Sequence, residues 1–380
     1  MRKTLIAPIL LLFVILASCS GKKEGEKSTS GMNRVIIAYV VGFDGLIDIN
    51  MLSPEKITHI NYAFVDVKDG KAFLTNEVTD TVNFRKLNEL KKQNPDLKIL
   101  ISIGGWGWSR NFSDAVLTSE KQKTFAKSAV EIMGKYNLDG VDIDWEYPAI
   151  PGDVGNVYRP EDKKNYTLMF AAIRAELDAL SKTTSKKYLL TTAVGGFQQF
   201  IDSTEMGKAQ EYLDYVNIMS YDSQSSKIAI HHTNLYPSES YEKSNSASIA
   251  IDGFIKAGVP AEKLVMGIAF YGRIFQMKKG TSKGVGEPID KQIQGKGYTH
   301  IKDSLVNKDE YYRYWDNQAQ APYLYNFHKG IFVTYDDEES VKAKCGYVKE
   351  HNMAGVMFWE YSSDPKEYLL NEINKAFSEQ

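Results

Sequence analysis

The sequence predicts an α/β chain closed into a (β/α)8 (TIM) barrel, with a small α+β insertion between its seventh and eighth strands. Three observations predict it. Short Val/Ile-rich segments bounded by Gly, Pro or polar residues recur eight times from Arg34 onward. Segments with apolar residues at three-and-four spacing lie between them, as amphipathic helices require. Several of the strands end in aromatic or acidic side chains, which suits a fold whose active site lies at the C-terminal ends of its strands. Val- and Ile-rich strands alternating with long helices imply parallel pairing through right-handed crossovers.

In chain order, the predicted strands are 35–40, which carries Tyr39; 57–65, with Tyr62 and Phe64; and 97–103, which runs into Gly104-Gly105-Trp106. The fourth is 140–146, the fifth 188–194, and the sixth 215–221, with Met219, Tyr221 and Asp222 at its end. The seventh, 264–271, ends at Tyr271 and Arg273, and the eighth, 355–361, carries Trp359 and Glu360. Helices are predicted over 81–92, 119–136 and 160–180. The gap 274–333 is too long for an ordinary strand-to-helix connection. It holds Tyr298, Tyr311, Tyr312, Tyr314, Trp315, Tyr323 and Tyr325 and reads as a folded insertion. Such an insertion would raise one wall of the barrel mouth and make a groove, which favours an oligomeric or polymeric ligand.

Composition narrows the function classes. The 380 residues are 43% hydrophobic with a net charge of -2, so the chain can bury a large core and presents no basic field for nucleic acid. The aromatic fraction of 12%, with 23 Tyr, suits either core packing or stacking against sugar rings. At the N-terminus, Arg2 and Lys3 precede an apolar run over 5–16 that is too short to span a bilayer comfortably. Leu16-Ala17-Ser18-Cys19 then resembles a bacterial lipobox, which implies a signal peptide over 1–18, acylation of Cys19, a flexible tether to residue 33 and a membrane-anchored exported lipoprotein. In a Gram-negative cell this would mean the outer membrane or the cell surface. Cys345 is the other cysteine, so an acylated Cys19 leaves no intrachain disulfide. Neither Cys-x-x-Cys nor His-Glu-x-x-His occurs, and His231-His232 reads as a loop pair without nearby acids, at the surface or against substrate; no metal and no cofactor are expected.

The fourth strand carries the chemistry. In Leu138-Asp139-Gly140-Val141-Asp142-Ile143-Asp144-Trp145-Glu146-Tyr147-Pro148, alternation puts Asp142, Asp144 and Glu146 on one wall and Val141, Ile143 and Trp145 on the other. Aligned carboxylates are costly unless paired, hydrogen-bonded or used. Glu146 reads as the last inward residue of the strand, pointing into the mouth.

Asp139-x-x-Asp142-x-Asp144-x-Glu146 resembles the signature of glycoside hydrolase family 18, the chitinases and their relatives. Ser102-Ile103-Gly104-Gly105-Trp106, Met219-Ser220-Tyr221-Asp222, His232-Thr233-Asn234-Leu235-Tyr236, Gly267 to Arg273, and Trp359 are similar to further motifs of that family. Arg159 to Tyr166 is similar to the bacterial subgroup with an α+β insertion. The resemblance implies hydrolysis of β-1,4 links between N-acetylglucosamine units by a monomeric chain, with Glu146 as general acid. Like charges beside it would raise its pKa. In this family the substrate's own N-acetyl oxygen is the nucleophile. Asp144 is then expected to hold the acetamido N–H, Asp142 to share a proton with Asp144, Tyr221 to steady the acetamido oxygen and Asp222 to contact the same sugar. Trp359 is expected to floor the site, with Tyr39 and Phe64 along the wall, Trp106 as a platform on the leaving side, and Tyr147, Met219, Tyr271 and Arg273 lining the groove. After Asp222 the family often has Phe-His-Gly where this chain has Ser223-Gln224-Ser225, which leaves the preferred substrate open. An endo-β-N-acetylglucosaminidase acting on N-glycans and a non-catalytic sugar-binding protein are the alternative readings.

Overall fold

In the computed structural model, which describes residues 34–242 and 245–379, eight parallel strands close on themselves. Among the described residues the strands in chain order are β1 (Val35–Val41), β2 (His59–Lys68), β3 (Lys71–Phe73), β4 (Lys98–Gly104), β5 (Gly140–Asp144), β6 (Leu189–Gly195), β7 (Tyr215–Met219), β8 (Leu264–Ala269), β9 (Tyr271–Met277), β10 (Ile289–Gly297), β11 (Tyr312–Asp316), β12 (Ala321–Asn326), β13 (Ile331–Thr334) and β14 (Gly355–Trp359). Strand β1 pairs in parallel with both β2 and β14, and this double pairing closes the ring β1-β2-β4-β5-β6-β7-β8-β14. The short β3 hangs antiparallel on the end of β2. Closure removes the barrel's open edges. The signal peptide, the tether and Cys19 lie outside the described residues.

The helices form where capping and amphipathicity support them. Helix Ser119–Lys135 is capped by Thr118, whose hydroxyl accepts the Lys121 N–H, and it turns Phe125, Ala126, Ala129 and Met133 to the core. Helix Glu338–Glu350 starts at a capping box of Asp337 and Ser340. The first predicted helix begins earlier, at Glu77, and its last turn, Leu90–Lys92, tightens to a 3-10 turn. The helix expected over 160–180 spans Asp162–Thr184.

Four strands stop sooner than alternation suggests, the sixth at Met219 instead of Tyr221. The fourth barrel strand ends at Asp144, so Glu146 lies two residues past it on a bend. Its N–H is taken by the Ser109 hydroxyl (2.9 Å) and its carbonyl by Asn156 Nδ2 (2.7 Å) instead of by neighbouring strands. The eighth ends at Trp359, and Glu360 turns away to cap the 3-10 turn Tyr361–Ser363 through Ser362 N–H. The segment read as the seventh strand divides at Phe270: β8 stays in the barrel, while β9 joins a second sheet.

That second sheet has the antiparallel order β10-β9-β13-β12-β11 and is accompanied by helix Tyr298–Ser304. It runs from Tyr271 to Thr334, a few residues beyond the 274–333 read from the sequence. Phe275, Tyr325 and Phe332 pack with Ala229 and Ile289 in a small core of its own. The large core lies between barrel and helices. There Trp145 stacks on Phe112 (5.2 Å between centroids) and meets Tyr166 edge-on (5.9 Å), which fixes the apolar face of the fourth strand and turns its acids inward.

Candidate active site

The acids of the fourth strand enter three different environments. Asp142 is fully buried, and its carboxylate accepts from Thr191 Oγ1 (2.5 Å), Ser102 Oγ (2.7 Å), Tyr39 Oη (3.0 Å) and Asn217 Nδ2 (3.3 Å). Four donors from β1, β4, β6 and β7 therefore hold it in place. Among the described residues no hydrogen bond joins Asp142 to Asp144, its expected partner in proton sharing, while the charge of Asp142 acts on Asp144. Burial still raises the Asp142 pKa, and the four hydrogen bonds oppose that rise. Tyr39, expected on the sugar-contacting wall, is buried at 2% exposure and acts mainly on Asp142, although part of it lines the cleft.

Asp144 sits one layer higher. Its Oδ1 is buried and has no hydrogen-bond partner among the described residues. Its pKa is raised well above the usual carboxylate range, first by burial and then by the charges of Glu146 and Asp142. Glu146 is pushed up to about 7, again chiefly by burial; the Tyr147 hydrogen bond pulls it down and the Asp222 charge adds to the rise. Desolvation, more than like-charge repulsion, is therefore what keeps a proton on this glutamate. Two buried carboxyls that interact through their charges share their titration.

The loop after β4 makes the close approach possible. The Gly105 N–H donates to the Asp144 carbonyl (2.7 Å), and a side chain on Gly104, at φ 111°, would meet that carbonyl at 2.2 Å. The same loop supplies Ser109, whose hydroxyl donates to the Gly105 carbonyl (2.8 Å) and accepts from the Glu146 N–H. Ser109 carries no motif signal in the sequence; its position behind Glu146 comes only from the fold of the loop.

Around the acids lies a cleft of about 820 Å³ lined by Tyr39, Phe64, Trp106, Asp144, Glu146, Tyr147, Met219, Tyr221, Asp222, Tyr271, Arg273 and Trp359. These are all of the sequence-nominated substrate residues together with Tyr221 and the two upper acids. Phe43, Trp108 and Gln224 join them without having been nominated. Trp359 and Phe64 stack nearly parallel (5.5 Å, 14°), and Phe43 continues the stack (6.3 Å, 8°). Trp106 is 52% exposed and stands edge-on to Tyr147 at 6.3 Å.

Asp222 organises the opposite wall. Its Oδ1 accepts from Tyr271 Oη (2.5 Å) and Arg273 Nε (2.7 Å); burial would raise the carboxyl's pKa, but His232 and then Arg273 outweigh it and hold the carboxyl well below the usual range. His232 is completely buried with Nδ1 3.6 Å from the same oxygen, while His231 is buried with Nε2 3.2 Å from Asp316. The histidine pair, read as a loop pair without nearby acids at the surface or against substrate, is buried and faces two acids, Asp222 in the preceding loop and Asp316 of β11, which is far away in sequence. Burial lowers the His232 pKa, and the Asp222 carboxylate beside it opposes that shift. Among the described residues no group of His, Cys, Asp and Glu is arranged to hold a metal ion. Asp139, the first acid of the motif, lies at the other end of β5, where it accepts the Ile99 N–H (2.8 Å) and pairs with Lys91 (2.6 Å).

Comparison with known proteins bears on what this arrangement does. The family model described as "Glycosyl hydrolases family 18" matches residues 30–364. Chitinase A1 of Niallia circulans is 37% identical over 85% of this chain, which spans 55% of that protein's length. Chitinase B of Serratia marcescens is 30% identical, with 85% of this chain and 77% of that one covered. Among solved structures, a family 18 N-acetylglucosaminidase from Paenibacillus barengoltzii superposes with a TM-score of 0.84 at 38% identity, covering 90% of this chain and all of that one.

Proposed function

The chain belongs to glycoside hydrolase family 18, and from that premise we propose that it hydrolyses the β-1,4 links between N-acetylglucosamine units of chitin or chito-oligosaccharides, with retention of configuration. The single observation that carries the reading is the place of Glu146 on the wall of an aromatic cleft, its pKa pushed up to about 7 by burial, in company with a buried Asp144 that has a carboxyl oxygen unpartnered among the described residues. Glu146 donates its proton to the leaving glycosidic oxygen. The acetamido oxygen of the sugar over Trp359 attacks the anomeric carbon, and Asp144 Oδ1 accepts the acetamido N–H and stabilises the positive ring that forms. Tyr221 steadies the acetamido oxygen. Water then opens the ring with Glu146 taking the proton back, which leaves the β-anomer.

Asp142, held by its four hydrogen-bond donors, supports Asp144 from behind on the same strand, and the Asp222–Arg273–Tyr271 wall shapes the same sugar's pocket. The relatives' printed names favour this substrate over an N-glycan. Because one neighbour is titled an N-acetylglucosaminidase, product length is the property to measure first. Incubation with a defined chito-oligosaccharide series should give β-anomeric products at early times, and Glu146→Gln should lower turnover at least about a hundredfold while oligosaccharide binding persists. An α-anomer as first product, or undiminished turnover in the variant, would sink the assignment.

The lipobox-like Leu16-Ala17-Ser18-Cys19 supports placement as a lipoprotein, and the insertion sheet supports the bacterial subgroup that carries an α+β insertion. Cys19 receives the lipid, and residues 20–33 tether the enzyme to the membrane. Mass spectrometry of the mature N-terminus tests this: Cys19→Ala should release unlipidated protein from the membrane fraction.

A further inference from the structure

Inside the barrel, next to Asp142, stand two buried asparagines. Asn61 lies on β2 in register with Tyr39 of β1, and Asn217 lies on β7; they are 1% and 0% exposed. Asn217 Nδ2 is used, at 3.3 Å from Asp142 Oδ1 and 3.4 Å from Tyr39 Oη. Its Oδ1, and both Nδ2 and Oδ1 of Asn61, are buried with no hydrogen-bond partner among the described residues. Burying an amide without a partner is costly, and an apolar side chain of similar size would avoid the cost. Asn61 therefore needs a reason.

Both asparagines face one phenol. Burial, and then the charges of Asp142 and Asp144, push the Tyr39 pKa well above its usual value, and the Asn61 amide works against that rise. The inner core that holds Tyr39 includes Val35, Ile37, Ala193 and Val265, which have no polar side-chain atom to offer. Two residues earlier on the same strands, His59 and Tyr215 meet edge-on at 5.6 Å and close the barrel below the asparagines. The pair thus sits in a sealed apolar setting with amide atoms to spare.

We propose that Asn61 and Asn217 hold buried water against the Tyr39 hydroxyl, and that Asn61 is thereby a positioning residue, fixing the phenol that donates to Asp142. A buried water makes about three hydrogen bonds to groups that the fold leaves unpaired. Here it accepts from Asn61 Nδ2 and donates to Asn217 Oδ1 and to the second lone pair of Tyr39 Oη. Asn61 stands outside the cleft wall, so its effect passes through Tyr39 to Asp142 and on to Asp144. The inference rests on the proposed function for the roles of those two acids.

Diffraction and kinetics test it separately. A high-resolution crystal structure of the parent should show water within hydrogen-bond distance of the Asn61 amide and of Asn217 Oδ1 or Tyr39 Oη. Asn61→Leu, close in volume but without the amide, should lose that water and lower kcat on a chito-oligosaccharide about tenfold with KM nearly unchanged. Asn61→Ser keeps a hydroxyl and leaves room for water, so it should hold kcat within about threefold of the parent. In a Tyr39→Phe background, Asn61→Leu should cost less than about twofold more, because the hydroxyl it acts through is gone; a residue that merely packs would cost the same in both backgrounds. A parent with no water at Asn61 overturns the proposal whether or not Asn61→Leu folds. So does a folded Asn61→Leu with the parent's kcat, an Asn61→Ser as impaired as the leucine variant, or an undiminished loss in Tyr39→Phe. Failure of the parent to cleave any chito-oligosaccharide strikes the proposed function instead and leaves the water site to the diffraction result.

Discussion

At Glu146 one physical cause sets both rate and stability. The carboxyl's ordinary pKa of 4.5 rises to about 7 in the folded chain, so between these values the folded state holds more protons than the unfolded one. Stability then falls as pH rises through that window, and the loss is complete above about 7. Glu146→Gln removes the cost: the variant should be more stable than the parent by up to about 3 kcal/mol at pH 8, with the gap closing by pH 4, as read from denaturation at the two pH values. Activity has the same sign, since the donor must be protonated. The rate should decline as pH rises through about 7, and a pH–rate profile without an alkaline limb there would contradict the acid role. The residue types and spacing of Asp142, Asp144 and Glu146 were legible in the sequence. The partners of Asp142 were not, because Tyr39, Ser102, Thr191 and Asn217 come from four other strand positions that meet only on closure.

At the scale of the element, the fourth strand separates acids that look alike in the motif. Asp139 caps the bottom of the sheet through Ile99 and Lys91, away from the cleft. Asp139→Ala should cost about 1–3 kcal/mol of stability while leaving kcat/KM on chito-oligosaccharides unchanged. A large fall in kcat/KM would place Asp139 in the chemistry. Ser109 is the converse case. It lies outside every motif, yet it holds the backbone N–H of Glu146 where the strand has already ended. Ser109→Ala should lower kcat about tenfold with KM nearly unchanged, because a donor displaced by a fraction of an ångström misses the leaving oxygen in the transition state. Alternation alone extends the strand to residue 146; hydrogen bonding ends it at Asp144, because Glu146 finds its partners in loops.

On the scale of the whole molecule, the barrel, the 231–236 loop and the helix after the insertion meet at a buried ion pair. Lys344 and Asp336 are both fully buried at 2.7 Å, and Asp336 also accepts from Thr233 Oγ1, Ser340 Oγ and the Ala269 N–H at the end of β8. Thr233 follows His232, so this cluster seats the loop that backs Asp222. Lys344→Met leaves the Asp336 charge uncompensated and should destabilise the protein by about 3–5 kcal/mol in chemical denaturation. A change under 1 kcal/mol would mean that the hydroxyl and amide donors suffice alone. Thr233 and Asp336 lie 103 positions apart, and no local pattern pairs them.

The sequence by itself determined the barrel, its eight strands, the presence of a folded insertion, and most of the side chains that line the main cleft, though not Phe43, Trp108 or Gln224. Strand alternation, helical period and motif spacing are local properties, and these features are written in them. Only the tertiary structure decided where the fourth strand stops, which donors hold Asp142, why Asp139 stands apart, and that His231 and His232 are internal. It also decided that burial is the main cause of the raised Glu146 pKa. Each depends on groups brought together from distant parts of the chain, and on the exclusion of water that follows when they meet.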